Sequence, residues 1–228
     1  MTRVLRTAWL VARKDLVVET RSRELIYTTL FLAVACVLIF AFGLVVDGKA
    51  PVEASAAVLW IALIFSGTLA LGRTFERERE SETLRALILS PAERPAVFLG
   101  KLIGLLLLMA GVEVIVVLLV ALFFDAPILR APWLFAGLLI SGTVGFASVG
   151  TLFAAMLMRA RSRDVLLPVI LYPIVIPVVI AGVRGTGALF APEADFATGG
   201  MWLSMLVFFD VVFVTLALWT FGPIMSEG

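Results

Sequence analysis

Two acidic residues, Glu113 and Asp210, lie inside long apolar runs of this chain. An ionised side chain is costly in hydrocarbon, so an acid in such a position is by default functional or turned toward the protein interior. One hypothesis is that the two carboxyl groups line a substrate path or an interface with a partner chain. The alternative is that each accepts a hydrogen bond from a Ser or Thr hydroxyl of a neighbouring helix. The sequence leaves both interpretations open.

The residue types in this chain exclude most other kinds of catalytic and metal site. The chain has no histidine and a single cysteine, Cys36, which lies in an apolar run. Serine–histidine catalysis, histidine–metal sites, disulfides and thiolate metal sites therefore cannot be built from this chain alone. It also lacks the Gly-x-x-x-x-Gly-Lys-Ser/Thr phosphate loop, so any ATP would be hydrolysed by another protein. We predict no catalytic residue, no metal site and no stably bound cofactor.

The elements that carry these residues are predicted to be transmembrane helices. Apolar residues make up 62% of the 228 positions, more than a soluble core of this size absorbs. A helix needs roughly 20 apolar residues to cross the bilayer. Six stretches meet that requirement, at residues 25–46, 54–72, 102–124, 133–158, 165–183 and 202–225. The prediction is one all-α, six-span membrane domain over residues 1–228, with an uncleaved first span.

The basic residues predict the orientation of the spans. Fifteen of the 18 Lys and Arg residues lie in the segments 1–24, 73–101 and 159–164, and the other three loops hold one each. Basic loops stay in the cytoplasm, so both termini are predicted to be cytoplasmic. Because the basic residues flank the spans, the charge gives no reason to expect a nucleic-acid partner. Aromatic residues are placed near span ends, in the headgroup region; these are Tyr27, Trp60, Trp133, Trp202 and Trp219.

The first 24 residues form a two-faced helical pattern. One stripe is apolar and the opposite side is basic; the stripe is Leu5, Ala8, Trp9, Ala12 and Leu16, and the basic residues are Arg3, Arg6, Arg13 and Lys14. This pattern predicts an interfacial amphipathic helix with its basic face toward anionic lipid. The alternative is a basic flank that only sets the topology.

The second cytoplasmic loop, residues 73–101, is longer than a simple reversal of direction requires. Its opposite charges at i,i+3 spacing favour a helix. An apolar edge of Leu84, Leu87 and Ile88 follows, and Pro91 ends the helix. The pattern indicates a surface for a cytosolic partner. A solvated charged hairpin is the alternative.

Small residues recur at four-residue spacing in the fourth span, at Gly137, Ser141 and Gly145. Such residues allow close approach of helix backbones in membranes. Tight packing within one protomer is favoured over a dimer seam.

Three prolines, Pro168, Pro173 and Pro177, lie in the fifth span. Each removes a backbone hydrogen bond, which membrane helices tolerate where neighbours repair the loss. A kinked or broken helix is therefore expected.

Several of these segments together resemble a known family. They are Arg13-Lys14-Asp15-Leu16, Arg21-Ser22-Arg23-Glu24, Phe75-Glu76-Arg77-Glu78, Leu89-Ser90-Pro91-Ala92-Glu93-Arg94, Leu99-Gly100-Lys101, Ser148-Val149-Gly150-Thr151-Leu152-Phe153 and Leu167-Pro168-Val169-Ile170-Leu171-Tyr172-Pro173-Ile174-Val175-Ile176-Pro177. The loop resembles the coupling loop of ABC exporter permeases. The whole set resembles the haem exporter B family of the cytochrome c maturation system, over roughly residues 13–184.

The resemblance implies a bacterial inner-membrane complex for the maturation of c-type cytochromes. Its parts would be a permease homodimer, cytosolic ATPase subunits that bind ATP and Mg, and further haem-handling membrane subunits. Haem would be the transported or handled substrate. Contacts with the ATPase would come from the loop, at Phe75, Glu76, Arg77, Glu78, Leu84, Leu87, Ile88, Ser90 and Pro91.

Two other function classes remain open from the sequence. One is an ABC exporter permease with a lipid-like or small-molecule substrate. The other is a proton-coupled secondary carrier that uses Glu113 and Asp210.

Overall fold

The fold is entirely helical in the residues described by the computed structural model, which are 2–45, 50–80, 94–157, 160 and 162–224. Across these ranges the chain forms seven α-helices, one short 3-10 turn and no strand. The helices are α1 (Thr2–Ser22), α2 (Glu24–Gly43), α3 (Val52–Glu80), α4 (Arg94–Phe124), α5 (Pro132–Met156), α6 (Arg163–Phe190) and α7 (Phe196–Ile224), and the turn is Ile128–Arg130.

Six of these helices, α2 to α7, are long and apolar enough to cross a membrane. Each contains at least 20 residues of predominantly apolar sequence, which matches the thickness of the hydrocarbon core. The chain is therefore a polytopic integral membrane protein with six transmembrane helices. The predicted fold class and number of spans are confirmed.

The last two spans differ from prediction, which placed an external loop at residues 184–201. Helix α6 continues to Phe190 and α7 begins at Phe196, so the connection between them is short. Arg184 suggested a span end, but its side chain is exposed, and the chain beyond it remains helical. Thr186 in this last part of α6 is fully buried, and its hydroxyl accepts a hydrogen bond from the Trp60 indole.

Asp195 caps the start of α7. Its carboxylate accepts hydrogen bonds from the Thr198 hydroxyl at 2.6 Å and the Thr198 amide at 2.9 Å, a typical N-cap arrangement. These bonds hold the pKa of Asp195 below its usual range. Nearby, Arg130 Nη1 donates to the Ala191 carbonyl at 2.5 Å. The two contacts fix the α6–α7 connection.

Helix α5 is the centre of the bundle. It contacts α3, α4, α6 and α7, and 83% of its apolar segment is buried, against 11% for α7. The many small residues of α5 explain this position, because they let neighbouring backbones approach closely. Residues that contact α5 are therefore the best candidates to link the spans mechanically.

Helix α1 differs from the predicted amphipathic arrangement. It packs mainly against α4, and its buried face is Ala8, Val11 and Ala12. Leu5 and Trp9, expected on the same stripe as Ala8, are each more than half exposed. The small side chains face protein because they permit close contact, and the larger apolar ones remain on the outer surface.

Candidate functional site

Glu113 lies on α4 and faces the central helix α5. The Thr143 hydroxyl of α5 donates a hydrogen bond to Glu113 Oε1. This contact fits the alternative in which the acid accepts a hydrogen bond from a Ser or Thr hydroxyl of a neighbouring helix and serves packing. Glu113 as a whole residue is partly buried.

Asp210 lies on α7 and faces α5 at a different point. A Cβ atom on Gly145 would lie 2.8 Å from Asp210 Oδ1, so the absence of a side chain at 145 makes room for the carboxyl group. The Ser141 hydroxyl lies beside the same group. Oδ1 is nevertheless buried without a hydrogen-bond partner among the described residues. Both acids therefore have a hydroxyl of α5 beside the carboxyl group, and Asp210 in addition has one buried oxygen without a described donor.

The two acids do not form one site. Their contacts on α5 are Thr143 on one side and Ser141 with Gly145 on the other. Two residues along an α-helix correspond to a rotation of about 200°. Glu113 and Asp210 therefore approach α5 from opposite sides, and a shared carboxylate pair is not formed.

The stripe of small residues on α5 faces α7. A Cβ on Gly137 would lie 3.0 Å from Leu203 Cδ2, and Gly145 meets Asp210 as described above. These contacts pack α5 closely against α7; packing within one protomer, rather than a dimer seam, stays a prediction.

Trp60 occupies a position that the sequence did not indicate. We expected it near a span end in the headgroup region, but its side chain is 1% exposed and lies among α3, α5 and α6. The ring fits against Gly142 and Gly182, where Cβ atoms would approach it within 2.1 Å and 2.3 Å. Its Nε1 donates to Thr186 Oγ1 at 3.0 Å. The prediction fails because a tryptophan two turns into a span is equally suited to a core with a buried acceptor.

Lys101 and Asp15 form a buried polar link between α1 and α4. Lys101 is 3% exposed, and its Nζ lies 2.7 Å from Asp15 Oδ2. The backbones meet one residue earlier, where a Cβ on Gly100 would lie 2.7 Å from the Ala8 carbonyl oxygen. Both segments were singled out in the sequence, but the pairing across 86 positions could not be deduced from it.

Glu19 connects α1 to the first span. Its carboxylate accepts a hydrogen bond from the Ile26 amide at 3.1 Å, and the side chain is 6% exposed. Between them Arg23 adopts a left-handed backbone conformation with φ of 57°, which turns the chain sharply into α2. The α1–α2 corner is therefore fixed on one side by Glu19 and on the other by the contact with α4.

The predicted partner-binding loop is flanked by helical extensions. Helix α3 continues from the membrane to Glu80, and α4 begins at Arg94 rather than near residue 102. Phe75, Glu76, Arg77 and Glu78 lie on the α3 extension, but their side chains are outside the described part of the chain. Further members of the predicted surface lie wholly outside the described residues; they are Leu84, Leu87, Ile88, Ser90 and Pro91.

The three prolines lie inside one continuous helix. Helix α6 includes Pro168, Pro173 and Pro177 and remains helical from Arg163 to Phe190, so the span is not broken. Each proline lacks an amide N–H, which leaves the carbonyl four residues earlier without its usual donor. The outward position of Pro173 and the half-buried positions of the other two are compatible with close packing of α6.

A cluster of three or more potential metal ligands is absent from the residues that the structure describes. The site as a whole consists of contacts that link the helices mechanically, together with two intramembrane acids that lie apart from each other.

Comparison with known proteins identifies the relatives of this chain. A family model described as "CcmB protein" matches residues 6–225. Heme exporter protein B of Pseudomonas aeruginosa is 27% identical over 199 residues, covering 86% of this chain and 87% of the relative. The protein of the same name from Haemophilus influenzae is 23% identical, covering 75% of this chain and 76% of the relative. That from Rhodobacter capsulatus is 26% identical, with 64% and 66% covered.

Proposed function

This chain belongs to the CcmB protein family, and on that premise we propose that it is the membrane permease subunit of an ABC transporter for haem export in c-type cytochrome biogenesis. The observation that carries the proposal is the match to residues 6–225, together with relatives named Heme exporter protein B. In this role the chain is a transporter component rather than an enzyme, and a separate cytosolic subunit binds ATP and Mg and hydrolyses the nucleotide.

The proposed complex lies in the bacterial inner membrane. It contains two copies of this chain, cytosolic ATPase subunits and further haem-handling membrane subunits, and both termini of this chain face the cytoplasm. The distribution of Lys and Arg between the loops supports that orientation. Haem is the transported or handled substrate, and ATP hydrolysis drives either its translocation or the release of a haem-loaded chaperone.

The coupling step begins at the loop of residues 73–101. An ATPase bound there pulls on the helical extensions of α3 and α4, which continue directly into transmembrane segments. A force applied to the start of α4 also acts on α1, because Lys101 is paired with Asp15 and Gly100 contacts Ala8 and Val11. The motion then reaches the central helix α5, which contacts both α3 and α4.

Copurification is the first test of this proposal. The tagged chain, extracted from its native membrane in mild detergent, is expected to bring down an untagged ABC ATPase. Deletion of its gene is expected to abolish c-type cytochromes. A bound ATPase with normal cytochromes would instead indicate an exporter of another substrate. Transport that continues without any ATPase and collapses with the proton gradient would favour the secondary carrier.

A further inference from the structure

A groove of about 430 Å³ lies between α3 and α6, outside the contacts described so far. Its volume falls in the range of about 300–1,000 Å³ that is usual for small-molecule sites. The lining residues are Phe65, Thr68, Leu69, Gly72 and Arg73 from α3, and Leu167, Pro168 and Tyr172 from α6.

The groove is located at one end of the membrane-spanning segments. The apolar part of α3 ends at Arg73 and that of α6 begins at Val165, so the groove runs from this boundary into the apolar layer. Phe65 and Tyr172 form its inner part, with ring centroids 6.0 Å apart in an edge-to-face arrangement. Phe65 is 48% exposed, so the groove opens sideways toward the surrounding lipid.

The charge of the lining favours an anionic occupant. Arg73 is exposed at the boundary, and among the lining residues that the structure describes no other is charged. A guanidinium group presents five donors in a planar fork that matches phosphate geometry, so it can hold a phosphate while keeping another contact. Basic pockets between transmembrane helices on the cytoplasmic side bind anionic lipid headgroups for this reason.

We propose that this groove binds one anionic phospholipid. Its phosphate contacts the Arg73 guanidinium, and one acyl chain lies along Leu69 and Leu167 toward the Phe65–Tyr172 pair. Under the predicted topology the lipid belongs to the cytoplasmic leaflet, where anionic lipids attract basic groups. Lipid binding at this position does not depend on the proposed role in haem export.

Native mass spectrometry of the purified, delipidated protein tests the assignment. After incubation with equal concentrations of phosphatidylglycerol and phosphatidylcholine, the wild type is expected to retain phosphatidylglycerol about tenfold more strongly, as a charge-assisted contact predicts. Arg73→Gln should lower phosphatidylglycerol binding to the phosphatidylcholine level, and Arg73→Lys should keep part of the preference. Arg184→Gln, which removes an exposed arginine at the other end of α6, should bind as the wild type does.

A blocking variant tests the groove itself. A Cβ on Gly72 would meet no atom within 4 Å, so the side chain of Gly72→Phe has room to enter the groove and displace lipid. Gly111→Phe, at a similarly open position on α4, is the matched control. Unchanged phosphatidylglycerol retention in folded Gly72→Phe would overturn the proposal. If Gly72→Phe does not fold, the comparison of Arg73→Gln with Arg73→Lys is decisive. Phosphatidylglycerol binding by Arg73→Gln at the wild-type level would then overturn the proposal. Arg73-dependent binding of haemin without binding of phosphatidylglycerol would also contradict the lipid assignment.

Discussion

The carboxyl groups of Glu113 and Asp210 contact α5 at different points, so each can be tested by its own neutral variant. Glu113 accepts a hydrogen bond from Thr143, whereas Asp210 Oδ1 is buried beside Gly145 without a described donor. If the ionised groups serve a substrate path or partner interface, Glu113→Gln and Asp210→Asn should each impair cytochrome c maturation while the protein is still produced. Haem staining of c-type cytochromes measures the maturation, and immunoblotting of membranes measures the amount of this protein.

Glu113→Gln is the stricter of these tests. The glutamine side-chain oxygen can still accept the Thr143 hydrogen bond, so the helix contact is preserved while the charge is removed. Normal cytochrome levels in both neutral variants would reject the ionised-site hypothesis and leave packing as the role of both residues.

The buried pair of Lys101 and Asp15 gives a prediction about stability. Asp15→Leu removes the carboxylate that lies 2.7 Å from the buried Lys101 ammonium, and breaking a buried ion pair by removing one partner costs about 3–5 kcal/mol. Asp15→Leu is therefore expected to lower the thermal unfolding midpoint in detergent substantially. The double variant Asp15→Leu with Lys101→Met should recover much of the loss, because a buried ion pair and a well-packed apolar pair are often comparable.

Lys14→Met is the control for that experiment. Lys14 also approaches Asp15, at 3.0 Å, but its side chain is 42% exposed. An exposed pair contributes about 0–1 kcal/mol. A loss in Lys14→Met as large as in Asp15→Leu would show that the buried pair is not the stabilising contact.

At the scale of elements, the packing of α5 on Trp60 can be tested with one methyl group. The Cβ of Gly142→Ala would lie 2.1 Å from Trp60 Cη2, and the fully buried ring has no space to move into. Overpacking of this kind typically costs about 1–3 kcal/mol. Gly111→Ala, where the added methyl meets nothing within 4 Å, should be neutral or slightly stabilising, because alanine favours helix. Equal unfolding midpoints for the two variants would contradict this packing.

The loop of residues 73–101 is the element on which the proposed coupling depends. Leu84, Leu87 and Ile88 form the predicted apolar edge that an ATPase would bury. Each such side chain contributes about 1.5–3 kcal/mol on burial, so loss of two should weaken binding roughly a hundredfold or more. Leu84→Asp with Ile88→Asp is expected to release the ATPase in a pull-down and to abolish maturation.

Exchange of Glu78 and Arg79 is the matched control for the loop. It preserves the net charge of the segment and leaves the predicted apolar edge intact, so we expect a much smaller effect, in line with the small contribution of ion pairs at protein surfaces. The double aspartate variant must still be present in the membrane fraction at the wild-type level. Retention of the ATPase by that variant would show that this edge is not the docking surface.

At the scale of the whole molecule, the orientation of the bundle is open to labelling. In a Cys36→Ala background, single cysteines at Ser81 and Ser162 should be protected from a membrane-impermeant thiol reagent in intact cells. A cysteine at Ala197 should react, because it is exposed in the first turn of α7, next to the α6–α7 connection that the predicted topology places outside. Reaction at Ser81 from outside would reverse the topology and remove the proposed ATPase contact.

The number and order of the spans could be predicted from the sequence. A transmembrane span can be recognised from its own sequence, because roughly 20 successive apolar residues are needed to cross the bilayer whatever helices surround them. Even so, the ends of the last two spans were misplaced. A single charged residue, Arg184, suggests a boundary in the sequence, whereas the helix continues past it to Phe190 and buries Thr186 against Trp60.

Which helix faces which was decided only by the tertiary structure. Within a span nearly every residue is apolar, so composition gives little information about the face that packs and the face that meets lipid. The small-residue stripe of α5 predicted close packing of this helix, but it did not predict that the partner would be α7. The sequence also located the two intramembrane acids, but it did not show that they lie on opposite sides of α5. Likewise, Asp15 and Lys101 were visible as charged residues at membrane boundaries. Their pairing required α1 to dock on α4, a contact between segments 86 positions apart that no local pattern encodes.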